Sequence, residues 1–496
     1  MQSLIRIQLF LTLIVFLASF AIAQLAGDRA TKAKGTSAEV GDSEDLNSAV
    51  RRAMLQAVAF FHDHVAVHGG YVYCVSSDLK LQEGEGVTDG QTVWVQPPGT
   101  PAVGMALLEA FERTGEAKLL QAAEAAAHCL VRGQLASGGW QDRIYFDPTQ
   151  RTKQAYRADP DHKKSAKNIS TFDDDKTQSA VRFLAKFDRA TRFKNAKVHE
   201  AVEFALKSIL KNQFPNGGFG QVFEKPPIAE KYPIVPASYP SDWPRKHPGE
   251  DYWWYYTIND NNIARLIDTL LLASEIYNEP SYKDAAIRAA DFLLLAQMTE
   301  PQPAWAQQYD FEMHPVWARK FEPPAISGSE SQEVIRSLMR VYQATGQRKF
   351  LEPIPRALDY LQKSEIETGR LARFYELRTN RPLYMNRQYQ LTYEPNDLPT
   401  HYGFIVTSNV TELRRRYEKL SNQSEAELAK NSQITSSARE ARPNEKLVKD
   451  CISSLDERGA WVEQARLVYH KTEVAPVIKS ETFIHNLDIL SRFLAK

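Results

Sequence analysis

AAEAAAHCLVRGQ (residues 122–134), AVEFALKSILKNQ (201–213) and AAIRAADFLLLAQ (285–297) align without gaps and recur at a period of about 80 residues. Self-similarity at a fixed period means stacked copies of one supersecondary unit. The first two copies share their sequel, since Gly138-Gly139-Trp140 stands 79 positions before Gly217-Gly218-Phe219. Each long helix is therefore expected to end in a glycine turn that presents an aromatic ring. Apolar-periodic stretches at 102–114, 177–190, 262–277 and 331–345 alternate with these segments and complete helix pairs. The expected fold is all-α: an α/α toroid, an incomplete barrel of helix pairs with irregular rim loops. An open α-solenoid is the alternative.

The chain has 496 residues, 61 Lys+Arg against 61 Asp+Glu, 43% hydrophobic and 25% charged, which is globular composition. Zero net charge argues against a nucleic-acid binder, so an anionic ligand must be held by local clustering. Arg6 followed by an apolar run over 9–23 that ends in Ala21-Ile22-Ala23 reads as a cleavable secretory signal. An uncleaved anchor would need a longer run. The expected division is a signal over 1–23, a polar linker over 24–47, the toroid over 48–420, a polar mobile segment over 421–446, and C-terminal helices packing on the toroid over 447–496. No membrane span remains after signal cleavage, and the protein is expected to be a secreted or periplasmic monomer. Cys74, Cys129 and Cys451 are too few for a disulfide framework, although one bridge is possible. Seven prolines between residues 224 and 250, then Tyr252-Trp253-Trp254-Tyr255-Tyr256, suggest a rigid rim insertion whose rings either stack on sugars or close the core.

Chemistry-bearing residues fall in four places. Thr171-Phe172-Asp173-Asp174-Asp175-Lys176-Thr177 puts three carboxylates at a loop-to-helix junction, where they either ligate a hard cation such as calcium or cap the helix. Asn259-Asp260-Asn261-Asn262 repeats the situation with one carboxylate and three amides, and the same two readings stand. Arg319, ahead of the turn Ser327-Gly328-Ser329-Glu330-Ser331, is either a surface residue or a grip on a carboxylate. From 369 to 387, GRLARFYELRTNRPLYMNR carries Arg370, Arg373, Arg378, Arg381 and Arg387 against the single acid Glu376. Phe374, Tyr375 and Tyr384 add stacking surface, and a polyanion made of sugars suits the combination.

Taken in order, TFDDDKT, NGGFGQVF, YTINDNNIARLID, WARKFEPPAISGSES and RFYELRTNRPLYMNR resemble the family 10 polysaccharide lyases, pectate lyases with an α/α toroid catalytic module. The resemblance runs from about residue 51 to 417. It implies calcium-assisted β-elimination of polygalacturonate to 4,5-unsaturated oligogalacturonates. Asp173 and Asp260 take the calcium-associated roles and count as both metal and catalytic residues. Arg387 matches the arginine such enzymes are thought to use as Brønsted base, and Arg319 and Arg373, with Arg381, take substrate carboxylates. Where the family often has Asn and a small residue, this chain has Asp174 and Asp175-Lys176.

Removing the C5 proton of a galacturonate drives charge onto a carboxylate that is already anionic, so cations must touch that carboxylate. Arginine as base requires that neighbouring arginines and calcium lower its pKa, because a guanidinium is ordinarily always protonated. Failing that, Arg387 becomes an electrostatic clamp and a lysine or tyrosine of the rim takes the proton. Two other classes satisfy part of the pattern. A toroidal glycoside hydrolase would use Asp173 and Asp260 as its carboxyl pair, and a non-catalytic polyuronate-binding protein would keep the affinity without turnover.

Overall fold

The computed structural model describes residues 45–159, 161–424, 426–428 and 441–495. The signal, all but the end of the linker, and residues 425 and 429–440 of the polar segment lie outside them. Among the described residues no helix is long and apolar enough to cross a membrane.

The helices are α1 (Leu46–Phe60), α2 (Thr100–Thr114), α3 (Ala117–Gly133), α4 (Pro148–Arg151), α5 (Lys176–Ala190), α6 (Ala196–Lys211), α7 (Asn262–Tyr277), α8 (Pro280–Leu295), α9 (Glu330–Thr345), α10 (Ile354–Lys363), α11 (Val410–Ser421), α12 (Glu445–Ser453) and α13 (Ser480–Leu494). An inner row runs α13, α2, α5, α7, α9, α11, each packed on the next. The outer row includes α1, α3, α6 and α8 in sequence, so the architecture is an incomplete α/α toroid. The last helix stands beside the first two. Arg113 of α2 reaches Asp488 of α13 at 2.8 Å, and the strand Cys74–Ser76 pairs antiparallel with Ala475–Lys479.

Short strands punctuate the helix pairs by one rule. A strand precedes the inner helix and pairs with the strand that follows the outer one. Ser170–Thr171 pairs with Val222–Phe223 around α5 and α6, and Tyr256–Thr257 pairs with Gln308–Tyr309 around α7 and α8. The sheets hold the amino ends of the inner helices at one rim.

The three repeated segments are the C-terminal halves of α3, α6 and α8 with the residue or two beyond. Their alanines let helices approach closely: Ala122, Ala123, Ala126 and Ala127 of α3, and Ala285, Ala286, Ala289 and Ala290 of α8, are all buried. The glutamine that ends each segment is a staple between repeats. Gln134 Nε2 donates to the Gly138 carbonyl at 3.0 Å and to the Ala201 carbonyl of α6 at 2.9 Å. Gln213 repeats both bonds, to Gly217 at 3.0 Å and Ala285 of α8 at 2.9 Å, and Gln297 reaches Pro303 at 2.9 Å and Pro353 at 3.1 Å. Each amide oxygen accepts from a guanidinium, of Arg157, Arg288 and Arg356 respectively. Gly217 has φ +88°, and a Cβ there would run into the Arg288 carbonyl, so only glycine makes this turn.

Several sequence expectations are corrected. The rings after the glycine turns face inward. Trp140 and Phe219 are wholly buried, and Trp140 Nε1 donates to the Leu130 carbonyl at 2.9 Å, as Trp305 does to Leu293 at 2.7 Å. Residues 370–387 form strands and turns rather than one charged face, and Phe374, Tyr375 and Tyr384 are core residues. Helix α1 starts at Leu46, just inside the expected linker. The cysteines are free and buried, with no bridge.

Gln213→Ala leaves the Gly217 and Ala285 carbonyls and the Arg288 guanidinium without this partner, inside the protein. The expected loss is about 2 kcal/mol in urea unfolding. A variant as stable as the parent would show that the staple does not hold the repeats in register.

Candidate active site

Two consecutive repeats reach their inner helices through the same strained turn. Asp174 and Asp175 have φ of 47° and 63°, and Asp260 and Asn261 have φ of 52° and 58°. Asp and Asn tolerate this left-handed backbone better than most side chains do. Lys176 and Asn262 are then the first residues of α5 and α7. The register matches Asp174, rather than Asp173, with Asp260. Gln178 ties the two turns, donating to the Phe172 carbonyl at 2.8 Å and to the Asn262 carbonyl at 3.4 Å.

Asp173, Asp174 and Asp260 thereby meet, with one oxygen of each lying within 4.8 Å of the others. Burial is the main reason the Asp260 carboxyl rises to about 7; Arg319 opposes the rise, and Asp174 and Asp173 add to it. Asp174 is raised as well, first by burial and then by Asp173. The Lys176 ammonium lies 2.9 Å from Asp173 Oδ2, 3.3 Å from Asp142 Oδ1 and 3.6 Å from Asp174 Oδ2. Burial alone would lower its pKa, but these three carboxylates raise it.

Cations line the side towards α9. Arg319 Nη2 is 3.5 Å from Asp260 Oδ2, yet the guanidinium is committed to Glu322 by two bonds, Nε to Oε2 at 2.8 Å and Nη2 to Oε1 at 2.6 Å. Glu322 is buried, and Tyr402 Oη also donates to it at 2.8 Å. Arg373 Nη1 lies 3.2 Å from Glu330 Oε1, the first residue of α9, and Nε donates to the Gly403 carbonyl at 2.7 Å. The Arg373 guanidinium sits over the Tyr402 ring at 4.7 Å. Half-buried Tyr252 feels Arg319, Asp173 and Asp260, and burial pushes its hydroxyl up to about 12.

Asp173, Asp260, Arg319 and Arg373 thus belong to one place. Arg387 and Arg381 stand apart from it. Arg387 is 60% exposed, with Nε 3.3 Å from Asp397 Oδ1, and with Tyr389, Pro399, Thr400 and His401 it lines a cavity of 330 Å³. Between this cavity and Arg319 lies an aromatic layer in which Phe321 contacts Tyr389, His401 and Tyr402. Arg381 stacks on Tyr393 at 3.4 Å. Arginine crowding does not describe Arg387, because the neighbouring arginines have other partners: Arg378 holds the Pro240 carbonyl and Arg373 holds Glu330.

Sequence reasoning gave no role to Glu322, Glu330 or Tyr402, and it met Lys176 only as a departure from the family pattern. The shared register of DDDK and NDNN was the available signal for Lys176. For Tyr402 there was none.

The donor set fits a hard divalent cation. Three carboxylates converge, and Asn259 Oδ1, in a residue 2% exposed whose amide nitrogen already touches Asp260 at 2.8 Å, has no hydrogen-bond partner. Held close together and partly desolvated, such oxygens favour an added positive charge.

Residues 134–341 match the family model described as pectic acid lyase. No curated protein matches the chain. Among solved structures, a family 10 polysaccharide lyase from Cellvibrio cellulosa is 20% identical over 60% of this chain and 91% of its own, with a TM-score of 0.44. A mutant of that lyase in complex with trigalacturonic acid is 18% identical over 64% and 98%, with a TM-score of 0.44. A D-mannose isomerase is 12% identical over 91% and 99%, with a TM-score of 0.41. Likenesses this distant carry no residue roles across. The matched residues 134–341 contain every member of the carboxylate cluster together with Arg319, Glu322 and Glu330, so the segment that is similar to the pectic acid lyase family is also the one that builds most of this site.

Proposed function

We propose that the protein is a pectate lyase that cleaves polygalacturonate by calcium-assisted β-elimination, giving 4,5-unsaturated oligogalacturonates. The observation that carries this reading is the convergence of Asp173, Asp174 and Asp260 beside Arg319, all within the residues that match the pectic acid lyase model, with Arg373 joining them from outside the matched segment. Asp173, Asp174 and Asp260 would hold the calcium ion, which when bound supplies positive charge to the substrate carboxylate and acidifies its α-proton.

The chain's own residues supply the rest. Arg319 and Arg373 are fixed by Glu322 and Glu330, so they are oriented before substrate arrives and cost little reorganisation. Their guanidiniums take the uronate carboxylates, and Arg381, backed by Tyr393, takes one further along. Arg387 is the proposed acceptor of the C5 proton, acting in its neutral form and brought from its own cavity to the carboxylate cluster when the polymer binds. The C5–H electron pair becomes the C4–C5 double bond as the C4–O bond breaks, and the leaving oxygen takes a proton from water. For Arg387 to act this way its ion pair with Asp397 must open, and its exposure beside a cavity supports access by a polymer. The proposed secreted or periplasmic form is a monomer without residues 1–23. It keeps the linker over 24–47, the toroid over 48–420, the polar segment over 421–446 and the helices over 447–496.

Incubated with polygalacturonate and calcium, the protein should generate an unsaturated product that absorbs in the ultraviolet, and excess chelator should stop it. Saturated reducing ends without that absorbance would mean hydrolysis, and binding without turnover would mean a polyuronate-binding protein. Asp260→Ala should lower calcium-dependent turnover by about 100-fold or more; an unchanged calcium requirement would remove Asp260 from the ligand set. Arg387→Lys should lower turnover by about 100-fold while leaving oligogalacturonate affinity nearly intact. Parent-like turnover in that variant would assign the proton to another group.

A further inference from the structure

The turns before α5 and α7 match residue for residue in backbone, but the first helical residue differs. α7 opens with neutral Asn262, whereas α5 opens with Lys176, which is 4% exposed. Desolvating an ammonium costs several kcal/mol unless anions compensate, and here Asp173, Asp142 and Asp174 surround it at 2.9, 3.3 and 3.6 Å. The nearest of these carboxylates, Asp173, is also a candidate ligand for the divalent cation.

We propose that Lys176 is a resident counter-ion of this cluster that sets its divalent-cation affinity, holding Asp173 and weakening calcium uptake by the free protein. The inference rests on the cation-binding reading above. A cation–oxygen distance of about 2.4 Å added to the 2.9 Å from Nζ to Oδ2 places a calcium ion sharing that oxygen no more than about 5.3 Å from the ammonium. If calcium uses the other Asp173 oxygen, the distance grows by only about 2 Å. A double and a single positive charge about 6 Å apart alter affinity about tenfold even with the full dielectric of water between them, and more in a partly desolvated site. Lys176 also explains why three crowded acids are tolerated without metal. It neutralises the Asp173 side, while the Asp260 side keeps only a 3.5 Å approach from an arginine already committed elsewhere. The orphaned Asn259 oxygen lies on that second, less compensated side.

The test is calcium titration calorimetry on the chelator-stripped full chain, its Lys176→Met variant and its Lys176→Asn variant, each with a parent-like circular dichroism spectrum. The asparagine variant installs the residue that α7 carries at this position and keeps a polar partner for Asp173, so it guards against a methionine variant that fails to fold. Both variants should bind calcium at least about tenfold more tightly than the parent and show a larger calcium-induced rise in Tm. Equal or weaker affinity in the variants, with a parent that binds, would overturn the role of Lys176 and leave the cation site standing. Absence of calcium binding in all three chains would remove the site and this inference together. Binding by the variants alone would mean that the lysine fully occupies the site, the strongest form of the proposal.

Discussion

Asp174 and Asp260 belong to different repeats and come within 4.8 Å only because adjacent repeats are held without slippage. Sliding one helix past another by a turn moves it 5.4 Å, more than the separation the cluster requires. The glutamine staples forbid that slip. Gln134 fixes α3 against α6 and Gln213 fixes α6 against α8, through carbonyls in the interior of the next outer helix. The strand pairs then place the turns before α5 and α7 at the same level of the rim. Alanine-rich outer faces and buried amides far from any substrate thus determine whether the acids meet.

The electrostatics of the rim follow from which residue opens each inner helix. Lys176, Asn262 and Glu330 occupy equivalent first positions of α5, α7 and α9 and carry positive, neutral and negative side chains. Each is buried, and each charged one is matched by the opposite sign: Lys176 by Asp173, and Glu330 by Arg373. Between them stands Asp260, approached at 3.5 Å by the already committed Arg319, and burial above all pushes its carboxyl up to about 7. That is where an added cation gains most.

Much of this was legible in the sequence. The three segments ending in glutamine announced stacked helix pairs, because self-similarity at a fixed period means repeated copies of one supersecondary unit. The glycine pairs announced turns for a local reason. The direction of a ring after a turn is not local, so the sequence placed Trp140 and Phe219 after their turns without showing that both are wholly buried. The arginine-rich stretch misled in a similar way. Its charges were counted along the chain, whereas in the fold Arg378 and Arg381 reach a carbonyl and a ring, and Arg387 meets Asp397 from a later turn. Asp173 and Asp260 were found because acids at helix openings are conspicuous. Lys176 stood out only as a departure from the family pattern, because its burial among three carboxylates is not visible in the sequence.

The proposed lyase chemistry on a polyuronate would need positive charge that is strong at the reacting carboxylate and weak elsewhere, since a uniformly cationic groove would hold product as firmly as substrate. The rim meets that requirement by pairing most of its cations beforehand. Arg319 is clamped by Glu322 and Arg373 by Glu330, so neither presents a bare charge to solvent. A substrate carboxylate adds to these pairs instead of creating them, and gains from orientation more than from net attraction. On the proposed reading, with Arg319 and Arg373 already engaged, discrimination between reacting and spectator uronates would rest on the cation held by Asp173, Asp174 and Asp260.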